Sequence, residues 1–170
     1  MPHNTRLKNV CRHNQFIQGH FIHAWRQRIS DATLYQHAQR LHQFSDEYLI
    51  LQTQTGRPRS VDELTADDVV DFITGWLPRH LEVSARQIKS YLASVRKYVH
   101  FMDTEGYLEH AAATEILQML KQDHEELIEE ALAQAAAEAA PPVNLRARLK
   151  DLEARWAAIH DTQTKKKAKR

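Results

Sequence analysis

Basic side chains recur along one side of a helix that the sequence predicts between Ser84 and Gly106. Its apolar residues return every three or four positions, which is the period of an α-helix with one buried face. The outward positions are polar or basic: Arg86, Lys89, Ser90, Arg96 and Lys97. Lysine and arginine on a helix face neutralise phosphates and release counterions, so the pattern indicates electrostatic binding of a polyanion rather than catalysis. The same residues also suit the solvated face of a helical bundle, and both interpretations stay open.

A second basic cluster lies in the last ten residues, 161–170. Its cations are Lys165, Lys166, Lys167, Lys169 and Arg170. We expect this low-complexity segment to be disordered until it meets an anion, and it is as typical of a non-specific solubility tail as of a DNA contact. The net charge of +1 conceals segregated charge, because the balance of Lys and Arg over Asp and Glu is +5 in residues 1–60, −4 in 61–110, −6 in 111–140 and +6 in 141–170. Since local potential steers a ligand, basic ends favour a polyanion partner.

The composition favours an all-α protein. The 170 residues are 42% hydrophobic, which is enough for a core, and four Gly and five Pro with hardly any alternating apolar run argue against a sheet. A single cysteine, Cys11, excludes an internal disulfide framework. No apolar stretch approaches the roughly 20 residues of a membrane helix, and the first residues lack a signal-peptide pattern. We therefore expect a cytoplasmic protein with no membrane partner.

Periodicity and capping residues divide the chain into five segments. Residues 1–29 predict an N-terminal helical segment of one or two short helices, with Gly19 as a candidate break. Residues 30–108 predict a helical bundle, and residues 109–140 predict one long Ala- and Glu-rich helix that resembles a connector. An amphipathic helix over residues 141–160 is expected to precede the basic tail.

Three N-caps mark the helix starts within the predicted bundle. Ser30 or Asp31 begins the first helix, Thr65 or Ser60 begins a short acidic helix, and Ser84 begins the basic helix. Along the first of these helices one apolar stripe is expected to be buried: Leu34, Leu41, Phe44, Tyr48 and Leu51.

The predicted amphipathic helix over residues 141–160 carries a four-three-four-three apolar rhythm. The residues of this seam are Leu145, Leu149, Leu152, Trp156 and Ile159. That rhythm is the seam of a coiled coil or of a docking helix, so a homodimer through this helix is one expectation. The seam spans only about two heptads, which is too short to be stable alone.

One group of residues near the N-terminus suggests metal ligation. Cys11, His13, His20 and His23 are close in sequence, and His20 and His23 share a helix face. Their spacing is unlike that of zinc fingers, and 11 histidines scattered along the chain produce such a group by chance. We therefore predict no metal and no cofactor.

Three spaced phrases stand out in residues 30–108. They run from Thr33-Leu34 to Leu41 and Phe44, from Leu64-Thr65-Ala66-Asp67-Asp68-Val69 to Phe72, and from Ser84 through Ile88, Leu92, Arg96 and Tyr98 to Gly106-Tyr107-Leu108. Together they resemble the N-terminal core-binding domain of tyrosine recombinases, the phage-integrase family. Order and spacing match almost throughout, with four departures. His37 stands where the family usually has Tyr, Arg40 where it often has Asp, Gln87 where it has Thr, and Ala93-Ser94-Val95 in place of Ser-Ala-Leu. The resemblance covers about half of the chain.

The resemblance implies a four- to five-helix SAM-like bundle that covers one face of double-stranded DNA, with two helices near the major groove. Carried over to this chain, the DNA-contacting candidates are Thr33, Gln36, Arg86, Gln87, Lys89, Ser90, Arg96 and Lys97. Arginine and glutamine can read guanine and adenine edges, whereas lysine more often marks phosphate. Arg96 has a structural alternative, which is to pair with the acidic helix at Asp67, Asp68 or Asp71.

The catalytic domain of that family has no counterpart in this sequence. Tyrosine recombinases attack the scissile phosphate with a tyrosine hydroxyl, yet only about 60 residues follow Tyr107 and none of them is Tyr. His37-Ala38-Gln39-Arg40 spells the family's catalytic H-x-x-R, but it lies in the wrong domain and we interpret it as chance. With no nucleophile–base pair and no Gly-rich phosphate loop, we predict that the chain is not an enzyme.

Two functional hypotheses follow. The first is a non-catalytic DNA-binding protein, either an accessory factor or a truncated relic, that acts in DNA recombination, integration or transposition beside a full-length recombinase. The alternative is a helical interaction or dimerisation module without a specific DNA site, in which the 109–140 helix and the Leu145–Ile159 seam recruit a partner. Both can hold at once, because a dimer of binding modules grips two half-sites.

Overall fold

Every secondary-structure element in the described residues is helical. The computed structural model describes residues 2–51 and 57–139. The α-helices are α1 (Pro2–Trp25), α2 (Asp31–His42), α3 (Ala66–Val70), α4 (Leu77–His80), α5 (Ala85–Thr104), α6 (His110–Gln122) and α7 (His124–Glu138). A π-helical segment, Gln43–Leu51, continues α2, a second, Asp71–Trp76, joins α3 to α4, and a 3₁₀ turn, Val61–Glu63, precedes α3. The prediction of an all-α fold is confirmed.

The three predicted helix starts are present with their caps. The Ser30 hydroxyl accepts a hydrogen bond from the Thr33 N–H at the start of α2. Thr65 and Ser84 each begin a helix with a reciprocal capping box, in which the partner side chains belong to Asp68 and Gln87. These bonds satisfy backbone N–H groups that have no partner within the first helical turn.

The core of the bundle is aromatic at its centre and aliphatic around it. Phe44 and Phe72 lie with ring centroids 4.8 Å apart, and Phe21 of α1 meets Tyr98 of α5 edge to face at 5.4 Å. Phe21 is fully buried in this same cluster, so α1 contributes to the core of the bundle. Residues up to Ala135 form one compact unit.

The first two elements differ from the sequence expectation in two ways. α1 runs without interruption through Gly19, whose missing side chain would meet nothing within 4 Å, so the glycine occupies open space on the helix surface. Leu51 was expected to be buried but is 71% exposed, whereas Leu49 and Ile50 are buried. The reason is the wider turn of the π-helical segment, which shifts the phase of the apolar stripe after Phe44.

The two π-helical segments are joined by a partly buried hydrogen bond. The hydroxyl of Tyr48 donates to Asp71 Oδ2 at 2.7 Å. Burial, and then this contact with the carboxylate, raises the pKa of Tyr48, so the hydroxyl remains protonated and continues to donate.

Residues 110–138 form two helices rather than the one long connector that we expected. The chain leaves the helical conformation at Asp123, and α7 begins one residue later. Asp is a poor residue for a helix interior because its side chain competes for backbone groups. Both helices contribute to the bundle core, with Ala113, Ile116 and Leu120 from α6 and Leu127, Ile128 and Ala131 from α7.

The predicted helix over 141–160, its seam and the basic tail 161–170 lie outside the described residues. No helix in the described ranges is long and apolar enough to cross a membrane.

Asn14 is a buried polar residue that ties α1 to the segment before α3. Its side chain is fully buried, with an exposed fraction of 0%. The amide oxygen accepts from the Val61 N–H at 3.0 Å, and the amide nitrogen donates to the carbonyl oxygens of Ser45 and Arg59 at 3.4 and 3.3 Å. One side chain thus satisfies backbone groups from two separate stretches of chain.

We expect Asn14→Ala to lower the free energy of unfolding by about 1–3 kcal/mol, because it leaves buried backbone groups without partners. Urea denaturation monitored by circular dichroism measures this. The matched control is Asn9→Ala, which removes an exposed side chain from the same helix and should change stability by less than about 0.5 kcal/mol. Equal effects of the two substitutions would contradict the role of Asn14.

Candidate functional site

The helices that carry the predicted binding residues, α2 and α5, pack against each other. Their contact centres on Ser94, whose hydroxyl is fully buried and donates to the Ser90 carbonyl at 3.0 Å. Because that bond uses the only hydroxyl proton, Ser94 Oγ accepts from His37 Nδ1 at 2.8 Å and from Arg40 Nη1 at 3.4 Å. One turn further, the Tyr91 hydroxyl donates to Gln43 Oε1.

An open cleft of about 550 Å³ lies between α2 and α5 beyond these contacts. Its lining comprises Gln36, Ala38, Gln39, Arg40, His42, Gln43, Glu47, Gln87 and Tyr91. Four of these side chains are carboxamides, each of which has both a donor and an acceptor. The cleft therefore presents neutral hydrogen-bonding groups together with one cation, Arg40, and one carboxylate, Glu47.

The structure brings two of the predicted residues, Gln36 and Gln87, together in this cleft although they are far apart in sequence. Arg86 and Lys89 are exposed on the first turns of α5. Neither side chain forms an ion pair or hydrogen bond within the described part of the chain. α5 has no Asp or Glu between Ala85 and Met102, so its exposed cations are not balanced along their own helix.

Three of the predicted residues form hydrogen bonds within the helices on which they lie. Thr33 Oγ1 is hydrogen-bonded to Ser30 Oγ at 2.9 Å, beside the N-cap of α2. The Ser90 hydroxyl donates back to the Arg86 carbonyl at 2.9 Å, and Gln87 completes the capping box of α5. These bonds leave the three side chains with fewer donors and acceptors for a ligand.

Arg96 and Lys97 have partners within the bundle. Arg96 Nη2 donates to the Leu120 carbonyl at 3.2 Å, near the end of α6, instead of pairing with the acidic helix. Lys97 Nζ lies 4.7 Å from the ring centroid of Trp25, and the guanidinium carbon of Arg28 lies 5.8 Å from the same ring. Both are cation–π contacts, so Lys97 is committed in part to α1.

The remaining site predictions are placed as follows. The basic tail, Lys165, Lys166, Lys167, Lys169 and Arg170, and the seam, Leu145, Leu149, Leu152, Trp156 and Ile159, lie outside the described residues. Of the residues considered for zinc, His20 Nδ1 lies 2.6 Å from the Tyr107 hydroxyl and His13 Nε2 lies 3.7 Å from Asp62 Oδ1. Within residues 2–51 and 57–139, no group of three His, Cys, Asp or Glu side chains is placed to hold a metal ion.

Three side chains of this site, Gln39, Arg40 and Gln43, were not among the predicted DNA contacts. They follow Gln36 at three, four and seven positions, which is the spacing of one helix face. That spacing was visible in the sequence. The local sequence does not indicate that α5 lies beside this face. The partners Tyr91 and Ser94 are about 50 residues away in sequence.

His37, which we had interpreted as a chance match to a catalytic motif, is buried beneath the site at 5% exposure. Burial lowers its pKa from the usual 6.5, and the positive charges of Arg40 and Lys97 lower it further. Burial and these two charges therefore favour the neutral imidazole.

Comparison of the chain with protein-family models, curated proteins and solved structures finds no match.

The lowered pKa of His37 predicts a pH-dependent stability. Below pH 6.5 the unfolded chain binds a proton at this residue that the folded chain resists, so the free energy of unfolding falls as the pH decreases from 6.5 and levels off below the folded pKa. Urea denaturation between pH 7.5 and 5 measures this for the wild type and for His37→Gln, in which this contribution is absent. Wild-type and variant curves that stay parallel over this range would contradict the prediction.

Proposed function

We propose that this protein binds double-stranded DNA without catalysis, through the surface that α2 and α5 form around the amide-lined cleft. The observation that carries the proposal is the character of α5. Arg86 and Lys89 are exposed there, and no acidic residue shares the helix between Ala85 and Met102. Exposed cations next to neutral hydrogen-bonding groups suit a ligand with a charged backbone and polar base edges.

The electrostatics of α5 support binding to phosphate. The first turn of the helix carries no acidic residue, so the positive end of the helix dipole adds to the charge of Arg86 and Lys89. Neutralising a phosphate with such a cation releases condensed counterions and makes the affinity fall as salt rises.

The amide groups of the cleft support contacts to bases rather than to phosphate alone. Glutamine side chains pair with base edges in the major groove, whereas carboxylates next to a phosphate backbone are repelled. Only one carboxylate, Glu47, lines the cleft, against four glutamines.

We further propose that the protein acts in DNA recombination, integration or transposition, as an accessory factor or truncated relic beside a full-length recombinase. This part rests on the order of the three phrases in residues 30–108, which resemble the core-binding domain of tyrosine recombinases. The helical bundle is compatible with that resemblance, and α2 and α5 are the two helices to which the resemblance assigns DNA contacts.

Arg86→Ala with Lys89→Ala is expected to weaken binding to a random-sequence duplex and to reduce the slope of log affinity against log salt by about 1 for each cation that contacts a phosphate. Fluorescence anisotropy over a salt series measures both quantities. The matched control is Lys8→Ala with Lys121→Ala, which removes the same charge from α1 and α6. If both double variants lose affinity equally, net charge and not the α5 surface is responsible.

The basic tail is tested separately in the full-length chain. Replacing its five cations, Lys165 to Lys167, Lys169 and Arg170, by serine should weaken binding but leave the effect of the Arg86 and Lys89 substitutions in place. Loss of all binding on that change would assign the DNA contact to the tail and favour the interaction-module hypothesis for the bundle.

A further inference from the structure

The four glutamines of the cleft differ in how many hydrogen bonds their side-chain amides form within the protein. Gln39 Nε2 donates to the Tyr35 hydroxyl at 3.1 Å. Gln43 Oε1 accepts the hydroxyl proton of Tyr91. Each of these bonds fixes the plane of the amide and uses one of its donor or acceptor positions.

Gln87 is committed more completely. Its Oε1 accepts from the Ser84 N–H at 2.8 Å and from the Ser84 hydroxyl at 2.9 Å. A carboxamide oxygen has two lone pairs, so this oxygen has no acceptor capacity left. Turning Gln87 toward a ligand would also open the capping box that begins α5.

Gln36 is the exception. Its side chain is exposed on α2, at the rim of the cleft, and it forms no hydrogen bond with any residue in the described ranges. Both its carbonyl oxygen and its amino group are therefore available to a ligand. Arg40, one turn along α2, is held back in the wall by Ser94 and by the Tyr91 ring, whose centroid lies 5.9 Å from the guanidinium carbon.

Bidentate recognition of adenine needs both ends of one amide at once. In the major groove adenine presents an acceptor, N7, beside a donor, the N6 amino group, and a glutamine side chain matches this pair with its amino group and its oxygen. Gln39 and Gln43 can present this pair only in the plane that an existing bond fixes, and Gln87 must first release its oxygen from a bond of the capping box. Gln36 has no such constraint and can turn its amide freely to the base.

We propose that Gln36 is the specificity-determining residue of this surface and that it selects adenine in the major groove of the bound DNA. The proposal rests on the DNA-binding function proposed above and adds the base that the surface reads. Gln39, Gln43 and Gln87 then shape the cleft and hold α2 and α5 in place, with little part in discrimination.

The test uses the full-length chain. Duplexes selected from a randomised library give the preferred site, and each selected adenine is then replaced by 7-deazaadenine, which lacks the N7 acceptor. We expect one replacement to weaken wild-type binding by about 2- to 10-fold in fluorescence anisotropy, because one of the two hydrogen bonds of the bidentate contact is lost while the N6 amino group remains. Gln36→Ala should bind the normal and the modified duplex equally.

Two further variants separate discrimination from general affinity. Gln39→Ala, on the same helix face, should keep the wild-type sensitivity to 7-deazaadenine. Gln36→Glu should change the preferred base at that position from adenine to cytosine, because a carboxylate accepts from the cytosine amino group. Both side chains are exposed, so neither substitution disturbs the core.

The outcomes distinguish this inference from the function on which it rests. Salt-dependent binding without any adenine preference, or a preference that survives in Gln36→Ala, overturns the role of Gln36 and leaves DNA binding standing. Absence of binding to every duplex at low salt overturns both.

Discussion

The packing of α2 against α5 depends on the Ser94 hydroxyl. A serine at this position is small enough for the two helices to approach, and its oxygen gives the buried ends of His37 and Arg40 a partner. A polar group buried without a partner is costly, so this bonding sets the register of one helix against the other.

The rest of the bundle supports α5 from behind. α1 contributes Phe21 against Tyr98, and α6 packs along the length of α5, with Arg96 bonded to a carbonyl near the end of α6. The hydrogen bonds of Arg96, His37 and Arg40 are directional and, added to the apolar packing, favour one arrangement of α5 in the bundle. The exposed cations Arg86 and Lys89 therefore lie at the start of a helix that is packed on several sides.

Interactions between residues close together in sequence made much of this fold predictable. The features that were not predicted depend on contacts between residues far apart in sequence. The caps at Ser30, Thr65 and Ser84 depend on residues within one helical turn, so their sequence signals were sufficient. The prediction that Leu51 is buried was wrong because a change from α- to π-helical winding is not visible in the spacing of the apolar residues. For the candidate site, the partner of Arg96 lies 24 residues away and that of Lys97 lies 72 away, and no local pattern encodes either pairing.

The position of Trp25 has a practical consequence. Its indole is half-buried at the end of α1 with two cations over the ring, whereas Trp76 is enclosed in the core. The electron distribution of an excited indole responds to nearby charge, so any displacement of Lys97 or Arg28 from the ring would change the intrinsic emission of Trp25. The protein therefore contains an optical reporter beside its basic helix, and events on that side of the bundle can be followed without attaching a dye.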